Sequence, residues 1–91
     1  MLMLLFEREW LGGTQEVYKY ENGFGASVIR GPYTYGGEEG LWEVAVLNNF
    51  RGQKYHLCFS TKITDDVLGY LTREQVEEVL KRIEMLAKEV L

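Results

Sequence analysis

Residues 41–60 read LWEVAVLNNFRGQKYHLCFS, two apolar runs that alternate with smaller or polar residues on either side of a polar interval. Alternation with a period of two is the mark of a strand buried on one face, so the stretch predicts a β-hairpin. A loop at about residues 49–52 pairs Val46 with Tyr55, Val44 with Leu57 and Trp42 with Phe59, which collects six large apolar groups on one face as the expected core. The opposite face then carries Glu43, Ala45, Leu47, Lys54, His56, Cys58 and Ser60, the mixed surface that an antiparallel sheet shows to solvent or to a partner.

Upstream, EVYKYENGFGASVIR predicts a second hairpin. Asn22-Gly23 suits a type I′ turn, because both central positions need positive φ. Strands over about 15–21 and 24–30 follow, with Tyr20 opposite Gly25, Tyr18 opposite Ser27 and Val17 facing Val28. Downstream, LTREQVEEVLKRIEMLAKEVL predicts a helix with a written start: Thr72 and Gln75 match a capping box, and Leu71 with Val76 a hydrophobic staple. Val76, Val79, Leu80, Ile83, Leu86, Ala87 and Val90 recur at helical spacing, so that stripe should lie on the sheet while Glu77, Lys81, Glu84 and Lys88 face water. The first ten residues, MLMLLFEREW, read as an edge strand turning at Gly12-Gly13 in preference to a short helix ending there. The expected fold is therefore α+β: an antiparallel sheet of four or five strands with one C-terminal helix packed on one face, in a single domain over 1–91.

Ninety-one residues, 46% hydrophobic and 26% charged, suit one small core and not a disordered chain. Such a core gains from burial in an oligomer, so a homo-oligomer is compatible with the sequence. The net charge of -4 argues against a duplex-DNA partner, and the basic middle of Arg51, Lys54 and Lys62 is too sparse to follow a phosphate backbone. One cysteine, Cys58, cannot close an internal disulfide and lacks the spacing of a zinc site, which favours an intracellular setting. MLMLLF has no basic lead or cleavage pattern and is too short for a membrane span, so no signal peptide, anchor or membrane partner is expected.

Chemistry-bearing groups are few. His56, across from Ala45 with Glu43 and Cys58 nearby, could activate a thiolate, but no complete catalytic set is visible and no enzyme is expected. Asp65-Asp66 after Thr64 are read as capping a short helical turn over about 65–70, with a partner contact second and a metal a distant third. No phosphate-cradling glycine motif is present and no cofactor is expected, although turn amides and Arg30 could hold a small anion.

NGFGASVIRGPYTYGGEEGLWEVAVL, followed by ITDDVLGYLTREQVEEVLKRI, resembles a group of small bacteriophage and prophage proteins of unassigned function, over most of residues 22–83. The resemblance implies a phage-encoded product acting in the bacterial cytoplasm, with antagonism of host defence as a subclass.

Between the hairpins, GPYTYGGEEGLW concentrates four glycines, the only proline and three aromatic residues. Gly31-Pro32 ends a strand, and Gly36, Gly37 and Gly40 permit the return into Trp42. The connection does not require Tyr33, Tyr35, Glu38 and Glu39, which either pack over the sheet edge or, with Arg30, form a contact patch. The expected activity is non-enzymatic binding of a host bacterial protein through Arg30, Tyr33, Tyr35, Glu38, Glu39, Asp65 and Asp66. The alternative is an oligomeric binder that sequesters a small ligand such as a nucleotide signal, with Arg30 at a subunit junction.

Overall fold

The computed structural model describes residues 3–87. It has the expected α+β architecture with one strand more than the sequence suggests. Strands β1 (Met3–Trp10), β2 (Gly13–Lys19), β3 (Gly25–Arg30), β4 (Trp42–Arg51) and β5 (Lys54–Leu57) form an antiparallel meander in that order. A further strand, β6 (Leu68–Leu71), returns to β4, and helix α1 (Arg73–Glu84) follows. β5 pairs with the second half of β4 and β6 with the first half, so these two short strands share one edge of a long one.

Three turns differ from the reading of the sequence, each for a local reason. β1 and β2 are joined through Leu11-Gly12, both at positive φ (45° and 79°), one residue earlier than Gly12-Gly13. The β2–β3 turn is a three-residue loop and not a type I′ pair: the Gly23 amide donates to Tyr20 O, and Gly23 alone takes positive φ. The extra residue moves the register by one, so Tyr18 faces Ala26 and Val17 faces Ser27. In the β4–β5 hairpin, Asn49 adopts a left-handed φ of 54° in a bulge and the chain turns at Gly52-Gln53. Leu47 thereby faces Leu57 and Asn48 faces His56, a shift of odd length that turns β5 over. Cys58, and not Leu57 or Phe59, enters the core; those two are 54% and 44% exposed.

The helix-facing side of the sheet carries Tyr18, Tyr20, Ala26, Val28, Trp42, Val44 and Val46, which pack against Val76, Val79, Leu80 and Ile83 of α1. Leu71 and Leu86 close the margins of this core. The capping box is formed: Thr72 Oγ1 accepts from the Gln75 amide at 3.2 Å and Gln75 Oε1 from the Thr72 amide at 2.9 Å. The helix stops at Glu84, where Asn22 Nδ2 donates to the carbonyls of Ile83, Glu84 and Leu86 at 2.9–3.1 Å. Ala87 is exposed beyond that stop, while Lys88 and Val90 lie outside the described residues.

Among the described residues no helix covers the opposite side of the sheet, yet it is not bare. Gln15 Nε2 donates to Ser27 Oγ at 2.9 Å and to Tyr55 Oη at 3.3 Å, and Arg8 Nε donates to Gln15 Oε1 at 2.7 Å. These long side chains lie across β3 and β4 and leave Val17 and Leu47 fully buried. Among the described residues, no helix is long and apolar enough to cross a membrane.

Candidate functional site

The 31–40 connector is a folded loop held by its own backbone. Thr34 is buried; its hydroxyl accepts from the Gly31 amide and donates to the Gly31 carbonyl, both at 3.0 Å. A single 3₁₀ turn over Gly37–Glu39 is bracketed by Gly36 and Gly40, at φ 85° and 77°. The Leu41 amide then returns to the Gly36 carbonyl at 2.9 Å, which closes the loop over its own backbone.

The loop docks on β6. The Tyr70 amide donates to Tyr35 O at 3.2 Å, the Tyr35 amide donates to Glu43 Oε1 at 3.0 Å, and the two tyrosine rings stack with centroids 6.5 Å apart. Close approach needs glycine on β6: a Cβ on Gly69 would stand 2.5 Å from Tyr35 Cβ. Tyr70 itself holds φ 58°, a left-handed conformation uncommon for a bulky side chain, and it interrupts the β4–β6 register there. The outcome is a corner where Tyr33, Tyr35 and Tyr70 are 79%, 61% and 59% exposed, with Glu38 and Glu39 exposed on the same loop. Tyr35 thus packs against the edge strand β6 while much of its ring, and most of Tyr33, is exposed.

Tyr70 and Glu43 join the site although the sequence pattern did not single them out. The expected helical turn over 65–70 is not formed: Leu68–Leu71 is a strand, because the short apolar run LGYL completes the free half of the β4 edge. That run immediately before a capped helix was the available signal. Asp65 and Asp66 precede β6, and the bonds of Asp66 are local, with Thr64 Oγ1 accepting from the Asp66 amide and Asp66 Oδ1 from the Val67 amide. Both are exposed, and the structure shows no bond between them and the loop among the described residues.

Arg30 faces the helix side and lies over Trp42, its guanidinium 4.5 Å from the ring centroid; Arg73 lies 4.8 Å from the same ring. Arg73 also forms a two-bond pair with Glu16 at 2.9 and 3.2 Å and donates to Tyr18 Oη at 3.3 Å. Burial and the bond to Glu16 push the Tyr18 phenol up to about 12. Burial works against the Arg73 charge, but its bonds to Glu16 and Tyr18 outweigh that and raise its pKa. Arg30 forms one wall of a shallow cleft of about 360 Å³ with Gly13, Thr14 and Pro32, and Glu38 stands on the same cleft.

The Cys/His/Glu cluster is not assembled. His56 is exposed opposite Asn48, Cys58 is buried with Sγ 3.6 Å from Ser60 Oγ, and Glu43 lies on the other face, bonded to Tyr35. Among the described residues, no group of three His, Cys, Asp or Glu side chains is arranged to hold a metal ion. Comparison with family models, curated proteins and solved structures finds no match to this chain.

Proposed function

We propose that the protein is a non-enzymatic binding module whose contact surface is the tyrosine corner, Tyr33, Tyr35 and Tyr70 with Glu38 and Glu39. The observation that carries this reading is three exposed aromatic rings, two on a loop whose backbone is hydrogen-bonded to itself and the third, Tyr70, on the strand where that loop docks. Rings held in place before binding lose little entropy on contact, and tyrosine is enriched among residues that dominate interface energies. The neighbouring carboxylates select a partner with a basic surface. The phage resemblance supplies a setting, a host bacterial protein occluded by a phage accessory factor, with host-defence antagonism as one form of it.

Sequestration of a small anion at Arg30 is the second reading, and one observation bears on it: the cleft that Arg30 lines also holds Glu38, a carboxylate that repels the same ligand. Arg30 and Asp65-Asp66 extend the proposed surface without forming its centre.

The test is co-purification from the bacterial host of the wild type beside a Tyr35→Ala, Tyr70→Ala double variant, each with its thermal melt. A stoichiometric partner lost with the double variant, at an unchanged melt, supports the reading. A partner retained by the folded double variant overturns it, and a nucleotide-dependent melt abolished by Arg30→Ala would establish the sequestration reading instead.

A further inference from the structure

We infer that β5 is a self-pairing edge through which two copies of this chain form one continuous antiparallel sheet. The strand order ends at β5, so among the described residues no strand covers its outer side. The Cys58 amide donates to Val46 O, and His56 pairs with Asn48 two residues earlier. In an antiparallel ladder inward and outward backbone groups alternate, so the amides and carbonyls of Tyr55 and Leu57 point away from β4 with no backbone partner among the described residues. On the same strand Leu57 is 54% exposed, and Phe59 just beyond it is 44% exposed.

The occupant follows from self-complementarity. A two-fold axis normal to the sheet and centred on His56 places Tyr55 opposite Leu57 of the second copy, and Leu57 opposite its Tyr55. Each pair exchanges both backbone bonds, and each sets an aromatic ring against an aliphatic side chain on the face opposite α1. Residues 55–58 contain no Asp, Glu, Lys or Arg to oppose it. The other free edge is written against such pairing: on β1, Glu7, Arg8 and Glu9 stand together, and the same operation centred on Arg8 brings Glu7 against Glu9. Neither Tyr55 nor Leu57 belongs to the tyrosine corner, so the two surfaces stand or fall separately.

Sedimentation of the full chain over a concentration series tests the pairing, together with Leu57→Lys, Leu57→Pro and Glu9→Lys. Proline at position 57 removes only an outward amide, so the β4 ladder stays whole. The expected result is an equilibrium between the 10.6 kDa chain and a species of twice that mass, lost in both Leu57 variants and kept in Glu9→Lys. Hydrogen exchange at the Tyr55 and Leu57 amides should slow on the order of tenfold or more as the protein is concentrated. Should the proline variant not fold, Leu57→Lys and the exchange rates carry the test. A monomer up to millimolar concentration, a dimer surviving in folded Leu57→Lys, or a dimer lost with Glu9→Lys alone would overturn the inference.

Discussion

Leu11 holds a left-handed φ of 45° while 61% exposed, so it bears backbone strain and a solvated apolar side chain together. Left-handed backbone costs an ordinary residue about 1–2 kcal/mol, and asparagine tolerates it best after glycine. Leu11→Asn should therefore stabilise the fold by about 1 kcal/mol, read as a melting point several degrees higher. Tyr20 presents a different imbalance: its ring is buried in the core and its hydroxyl has no hydrogen-bond partner among the described residues. Tyr20→Phe should leave stability unchanged or raise it by up to about 1 kcal/mol in chemical denaturation, because an unsatisfied buried hydroxyl is removed without a cavity. Burial raises this phenol, as it raises that of Tyr18 to about 12 from an ordinary value of 10.0. An acid whose folded pKa is raised contributes in full below its unfolded value, and the contribution is lost as pH climbs toward the folded one. Stability should hold below pH 10 and then fall by about 1.4 kcal/mol per pH unit for each buried phenol, visible as phenolate absorbance rising together with unfolding. Residues of this kind separate what a sequence shows from what it hides. The Thr72–Gln75 box was legible because both partners lie within one turn. The role of Asn22 was hidden because the carbonyls it binds lie more than sixty residues away.

At the scale of elements, Asn22 decides where α1 ends and also how the β2–β3 loop is shaped. Its Oδ1 accepts from the Phe24 amide at 3.0 Å while Nδ2 caps the helix, so one side chain fixes both the loop and the docking of α1 on the sheet. Asn22→Ala should cost about 1–2 kcal/mol, the size of a lost cap, with faster hydrogen exchange confined to the last turn of α1 and the 20–24 loop. Strand identity was readable from alternation in β2, β3, β4 and β5, but register was not, because register is set by turn geometry. One added loop residue moved β3 by a position, and the bulge at Asn49 reversed the faces of β5. β6 carries a weak signal, an apolar run before a capped helix, because four residues, one of them glycine and one left-handed, are too few to show a strand's period. Its existence depends on the vacant half of the β4 edge, which is a property of the sheet and not of the LGYL segment.

At the scale of the molecule, the tyrosine corner is a joint product of the connector and β6, so it should be sensitive to substitutions that never touch a partner. Gly69→Ala introduces a methyl where Tyr35 Cβ already lies 2.5 Å away, and should unseat the loop. The Tyr70 amide, bonded to Tyr35 O, should then lose its exchange protection and partner capture should fail as in the tyrosine variants, although every aromatic ring is still present. A Gly69→Ala protein that retains both would show that the corner does not depend on this docking. The sequence revealed the aromatic and acidic content of the corner, whereas its position beside β6 emerged only from the folded chain. From β1 to β5 each strand pairs with the one made immediately before it, and only β6 must reach past its predecessor. The sheet can therefore assemble in step with synthesis on the ribosome, strand upon strand. Its apolar side, however, waits for α1, which emerges only after all six described strands, so a nascent chain arrested before Arg73 would offer Val28, Val44 and Val46 to the chaperones that gather at the exit tunnel.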